Sequence, residues 1–216
     1  MPHIVQILCR DEIASVLAHL HRQKTRKGRP PNHLRQLAVF RLSCCCGLRR
    51  REIAGLQIAD LELFGPRPVI RVRKEITKAN RAGVRKARVV PLWWDSGTRG
   101  DLATWRDVRL AMTSGDERQP LVCGLRSHVS GEPLSPTAVA RQWDTLLSRV
   151  LGPQRAKQLS IHCGRHSFCS HALHGGRSLV EVRDAAGHAN ISTTNIYAHA
   201  VECDAPDLFA SIGEDD

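Results

Sequence analysis

Apolar residues recur at helical spacing along much of the chain. Ile13, Val16, Leu17 and Leu20 fall on one face of residues 11–21, and the acidic pair at its start suits a helix N-terminus. A denser run follows: Leu34, Leu37, Ala38, Phe40 and Leu42, then Cys44, Cys45 and Cys46. It predicts a mostly buried helix over residues 33–48. Residues 102–112 read as a modest amphipathic helix. Ala138, Val139, Trp143, Leu146, Leu147 and Val150 make another stripe, opened by Ser135 as N-cap with Pro136 at the first helical position and closed by Gly152-Pro153. Between Pro68 and Leu92 the period changes. Residues 69–73 are β-branched and alternating, residues 86–92 form a second short strand, and residues 80–83 are turn-like, which predicts a β-hairpin with a basic tip. Residues 121–125 read as a short strand or turn. The pattern as a whole predicts a mixed α/β, mostly helical fold with a small antiparallel β-sheet against a helical core.

The chain has 216 residues, a length that suits one domain, with a C-terminal tail over residues 204–216. Charge adds direction: 32 Lys and Arg against 21 Asp and Glu leave a net +11. Such an excess points to a polyanionic partner, nucleic acid first and an acidic membrane surface second. The basic stretch at residues 22–31 fits a solvated linker as well as a loop that touches phosphates. With no run of about 20 apolar residues and no charged-then-apolar start, the expectation is a soluble, cytoplasmic protein whose eight cysteines stay reduced.

The candidate chemistry is concentrated in residues 160–200. They hold S-I-H-C-G-R-H-S-F, then D-A-A-G-H-A-N-I-S-T-T-N-I-Y-A-H-A, with His162, Arg165, His188 and the chain's only tyrosine, Tyr197. His162 and Arg165 are three apart, so on a helix they share a face. Ser192, Thr193 and Thr194 offer N-cap oxygens for a short helix bearing Tyr197. Two histidines, an arginine and a phenol suit a site that holds a phosphate beside a nucleophile. A second motif, G-L-R-R-R-E-I-A-G-L, spans residues 47–56.

In these residues the chain resembles the tyrosine recombinase (phage integrase) family. The H-x-x-R pair, the G-H step, the I-S-T-T-x-x-Y-x-H ending and the G-L-R-x-x-E block occur in the family's order, with a basic hairpin between the first arginine and H-x-x-R. The resemblance covers about residues 8–203. It implies the family's catalytic fold, and site-specific DNA cutting and rejoining through a 3′-phosphotyrosine with Tyr197 as nucleophile. Arg49 and Arg165 are the expected phosphate-neutralising pair, since guanidinium forks suit phosphate oxygens. The family keeps its catalytic lysine on such a hairpin. Thr77-Lys78 fits best, with Lys74 and Lys86 flanking it. His188 is expected to donate to a phosphate oxygen, and His162 to accept the phenolic proton or orient the site. No cofactor and no metal are expected, because the phosphotyrosine conserves the bond energy.

Double-stranded DNA is the implied partner, bound by a homo-tetramer in a synaptic complex within the nucleoid, with an accessory DNA-bending or clamp protein possible. The expected organisation is a single catalytic domain with no N-terminal core-binding domain in these residues, either a minimal recombinase of the size of the small fimbrial inverters or a fragment of a longer member. Gly164 and Ala186 stand where the family usually carries leucine. Two other readings fit some residues. One is a catalytically silent DNA-binding protein of the same fold. The other is a zinc-binding module built from Cys163, His166, Cys169, His171 and His174, whose spacing matches no familiar finger.

Overall fold

Helix α2 (Asn32–Cys44) is the centre of the molecule, in a computed structural model that describes residues 6–23, 31–79, 83–92, 95–125 and 131–188. Every residue of α2 from Gln36 onward is buried, as expected of a helix with apolar groups on all sides. It packs against α1 (Arg10–His21), α4 (Ser96–Met112), α5 (Pro136–Leu151) and α7 (Ile161–His174). Phe40 stacks on Trp143 of α5 with ring centroids 5.4 Å apart, and the indole N–H of Trp143 donates to the Leu159 carbonyl at 2.7 Å. The buried guanidinium of Arg41 is matched by Asp95 (3.0 Å) and Asp101 (2.7 Å), so α2 carries a charge inside without leaving it unpaired.

The helix stops at Cys44, short of the expected end at residue 48. Gly47 takes a left-handed φ of +66°, and the turn closes through Leu48 N–H donating to the Leu42 carbonyl. A side chain at Gly47 would run into the Phe168 ring, so only glycine lets α7 approach here. The three cysteines sit in the core, where burial pushes their thiols up.

The sheet has order β1-β2-β3 and is antiparallel throughout: β1 (Leu61–Glu62), β2 (Val69–Val72) and β3 (Arg88–Pro91). Ile70 pairs with Val90 and Val72 with Arg88; Ile70, Val72 and Val90 point into the core while Arg71 and Val89 face solvent. The hairpin of β2 and β3 is present with shorter strands than expected. Arg73 leaves the ladder to bind Asp60 at 2.8 Å and the Gly55 carbonyl at 2.8 Å. Residues Lys74–Ile76 then form a 3₁₀ turn, and Lys86 precedes the return strand rather than beginning it.

Helix α4 starts six residues earlier than its apolar pattern. Asp95 caps it by accepting from Gly97 N–H at 3.0 Å, and its first turn is held by the polar Arg41–Asp95–Thr98 cluster, which carries no hydrophobic periodicity. Helix α5 begins as expected, with Ser135 accepting from Ala138 N–H at 3.1 Å. After α6 (Pro153–Ala156) and α7, a Ser178 capping box with Glu181 opens α8 (Leu179–Ala186), which packs on β3 and α7.

The extended residues 6–9 cross the back of α7. Leu8 is fully buried; its N–H donates to Ser167 Oγ and its carbonyl accepts from His171 Nε2, both at 2.8 Å. Arg155 adds a bond to the Ile7 carbonyl at 2.9 Å and an ion pair with Glu12 at 2.6 Å. His171 is therefore an interior anchor rather than a metal ligand. Among the described residues, no helix is long and apolar enough to cross a membrane.

Candidate active site

Three chain segments meet at one end of α7. The first is the α2–α3 junction, where Arg49, in extended conformation, precedes α3 (Arg50–Gly55). The second is α7 itself, which carries His162 on its first turn and Arg165 one turn on. The third is the C-terminus of α8, where Gly187 adopts φ +67° and ends the helix, with His188 next. These are the elements that hold Arg49, His162, Arg165 and His188.

Glu52 is the hub. Its carboxylate is fully buried and accepts from Arg49 Nη1 (2.9 Å), from the Arg49 backbone N–H (2.8 Å), and from both terminal nitrogens of Arg88 (2.8 and 2.9 Å). Burial alone would raise its pKa. The hydrogen bonds and charge of Arg88, then the charge of Arg49, reverse that and hold it at about 2. Arg49 Nη2 donates to the Gly187 carbonyl at 3.1 Å, and Arg88 Nε to the Ala185 carbonyl at 2.8 Å, so both arginines are tied to the end of α8.

Arg165 is 5% exposed and reaches the Gly47 carbonyl through Nη1 at 2.6 Å. Its Nη2 is buried with no hydrogen-bond partner among the described residues. A buried guanidinium nitrogen needs an acceptor, and near it the protein supplies further cations instead. Burial and the Arg49 charge draw the Arg165 pKa down to about 10. The same field acts on the histidines. Burial, then Arg165 and Arg49, push His188 down to about 3; burial, Arg165 and His162 push His166 to about 4; and burial, Arg50, Arg165 and Arg49 lower His162. Three arginines and one carboxylate thus make a pocket of net positive charge lined by neutral imidazoles, a fit for an anion with several oxygens.

Of the residues expected from sequence, Arg49, Arg165 and His188 are brought together, and His162 stands exposed one turn before Arg165 on α7, within their field. Lys78 is exposed, just past the 3₁₀ turn whose Ile76 packs against Gly55 at the far end of α3, and it joins none of the site's hydrogen bonds among the described residues. Arg85 braces that turn by donating to the Glu75 (2.7 Å) and Thr77 (3.1 Å) carbonyls. Tyr197, with the N-cap candidates Ser192 to Thr194, lies outside the described residues. Glu52 was part of a recognised motif without a role, and Arg88 was missed. An acid three residues after Arg49 could have indicated a capping pair, whereas Arg88 has nothing local to mark it.

The zinc grouping is not assembled. Cys163 and Cys169 are buried in the core, His171 binds the Leu8 carbonyl, and His174 Nδ1 lies 3.0 Å from the Ser170 carbonyl. Among the described residues no three His, Cys, Asp or Glu side chains are placed to share a metal ion. Gly164 also finds its reason: a Cβ there would lie 2.7 Å from Trp143 and closer still to Ser43, so those side chains fill the space a larger residue would need.

Comparison with known proteins identifies the family. The family model described as "Phage integrase family" matches residues 6–202. The chain is 31% identical over 166 residues to a tyrosine recombinase XerC of Corynebacterium glutamicum, covering 77% of this chain and 47% of the relative. It is 30% identical over 186 residues to a tyrosine recombinase XerD of Halalkalibacterium halodurans, covering 85% and 56%. It spans about half the length of the curated relatives it matches. Among solved structures, the XerA recombinase superposes with a TM-score of 0.69 at 22% identity, over 94% of this chain and 61% of that one. A XerH site-specific recombinase bound to palindromic difH substrate gives 0.65 at 20%, over 91% and 50%, and both likenesses establish the fold. With its arginine, histidine and glycine motifs gathered at one site and a match along nearly its whole length, the chain belongs to the phage integrase, or tyrosine recombinase, family.

Proposed function

We propose that this chain cuts and rejoins double-stranded DNA at specific sites through a 3′-phosphotyrosine. The observation that carries the reading is the buried Arg165 Nη2, without an acceptor among the described residues, beside Arg49 in a pocket of net positive charge. Such a pocket is built for the non-bridging oxygens of a phosphodiester, whose negative charge it neutralises without solvent reorganisation. His188, neutral in the free protein, can donate one ring N–H to the same oxygens.

The phenolic oxygen of Tyr197 attacks phosphorus, its proton passing to His162 or to solvent. The bond from phosphorus to the 5′ oxygen breaks, and that oxygen takes its proton from Lys78 as it leaves. One phosphodiester is exchanged for one phosphotyrosine. A free 5′ hydroxyl then reverses the step and rejoins the strand. Assembly of four copies on DNA, an accessory DNA-bending or clamp protein, and a cytoplasmic location on the nucleoid belong to this proposal. The net charge of +11 supports DNA as the partner and makes binding fall steeply with salt.

A nicked suicide substrate tests the proposal, because the cut segment diffuses away and leaves the protein covalently attached. The wild-type chain is expected to give the adduct. Tyr197→Phe should give none while keeping its DNA affinity, since the ring remains and only the nucleophile is lost. An adduct from the phenylalanine variant would refute the mechanism.

A further inference from the structure

We infer that Arg88, on β3, is a positioning residue for this reaction, acting on the scissile phosphate only through Arg49 and the α8 terminus. The inference rests on the strand-exchange reading above. Arg88 makes three hydrogen bonds, all to protein acceptors: two to Glu52 and one to the Ala185 carbonyl. Its side chain is 10% exposed. Its stem lies against Gly187, where a Cβ would come within 2.8 Å of Arg88 Cδ. One side chain thus touches the acid that orients Arg49, and Ala185 and Gly187 shortly before His188.

The bonds form a closed circuit. Arg88 fixes both oxygens of Glu52, and Glu52 Oε1 also takes Arg49 Nη1. Arg49 Nη2 reaches the Gly187 carbonyl, two residues past the Ala185 carbonyl that Arg88 holds. Arg88 thus ties the sheet to both α3 and α8 and, together with the Arg49–Gly187 bond, holds the spacing between Arg49 and His188. A lysine cannot replace it, because one ammonium on a flexible stem does not reproduce a planar fork that bonds two oxygens while its third nitrogen bonds a carbonyl.

The test compares the ordinary nicked substrate with one carrying a methylphosphonate at the scissile position. That group lacks the negative charge Arg49 neutralises, so misplacing Arg49 should matter on the first substrate and little on the second. Arg88→Gln is expected to slow adduct formation about 100-fold on the phosphate, the scale of a misplaced reacting group. On the methylphosphonate the loss should fall below about 5-fold, as it should for Arg49→Ala. Arg88→Lys keeps the charge beside Glu52 and guards against a variant that fails to fold; it should show a smaller loss with the same substrate dependence. DNA affinity should stay near wild type for both. Equal losses on the two substrates, from Arg88→Gln or Arg88→Lys, would mean a smaller folded fraction or a general defect and would overturn the positioning role. Failure of the wild-type chain to react with either substrate would overturn the strand-exchange reading itself, and the Arg88 role with it.

Discussion

Replacing Glu52 by Gln removes one negative charge from the midst of Arg49, Arg88 and Arg165 while keeping the shape of the side chain. The size of the effect follows from the carboxyl's pKa, about 2 in the folded protein against 4.5 unperturbed. That displacement corresponds to about 3 kcal/mol of stability at neutral pH, at the lower end of the roughly 3–5 kcal/mol lost when one partner of a buried ion pair is removed. For a chain of this size the melting temperature should drop by about 6–12 °C. The pH dependence is the sharper part. Because the folded pKa lies below the unfolded one, the Glu52 contribution is present above pH 4.5 and is lost as pH falls toward 2. At pH 3 less than about half of the difference between wild type and Glu52→Gln should remain. Urea unfolding of both proteins at pH 7, 5, 4 and 3 measures it, and the histidine contributions common to both cancel to first order. A gap that stays constant from pH 7 to pH 3, or no gap at pH 7, would refute the account of Glu52 as the charged hub.

Three further outcomes are expected. Gly164→Ala should lower stability by about 1–3 kcal/mol, the cost of forcing a methyl against Trp143 and Ser43; an unchanged urea midpoint would show that α7 has room to move. DNA binding between pH 7 and pH 5 should take up protons, because a phosphate favours the imidazolium forms of His188 and His166, which burial and then the arginines hold neutral in the free protein. Calorimetry in buffers of different ionisation enthalpy reads this directly, and proton release would contradict it. Lys78→Ala should cleave ordinary DNA about 10²–10⁴-fold more slowly yet recover on a substrate with sulfur at the bridging 5′ position, whose leaving thiolate needs no acid. Arg49→Ala should not recover; recovery by Lys86→Ala instead of Lys78→Ala would move the acid to the other side of the loop.

What could be read from the sequence was what local chemistry encodes. The stripes of α1 and α5, the Ser135-Pro136 start and the joint order of G-L-R, H-x-x-R and G-H all depend on neighbours within a few residues. Features that depend on distant partners were hidden. The first turn of α4 is anchored by Arg41, 57 positions from Thr98, through polar contacts that leave no apolar period. The hairpin was drawn with a plain turn because nothing in residues 73–77 announces that Arg73 would leave the ladder for Asp60. His171 could be grouped with nearby cysteines and histidines as a zinc ligand, and only the Leu8 carbonyl, 163 positions away, gives its ring nitrogen another partner. Arg88 is one arginine among many in that basic stretch, and only its pairing with Glu52, 36 positions earlier, sets it apart.

The crossing of residues 6–9 behind α7 has a consequence for how the protein is made. Leu8 waits for Ser167 and His171, the most widely separated contacts described for this chain. At roughly 5–20 residues per second, a ribosome needs on the order of ten to thirty seconds to supply them. During that interval an apolar N-terminal segment has no seat, and α1 lacks Arg155, the partner of Glu12. Loop closure over such a distance is also slow, which places this seal late in folding. The helix that bears His162 and Arg165 is therefore also the seat of residues 6–9, so a nascent chain that stalls before α7 should be open to proteases in that segment.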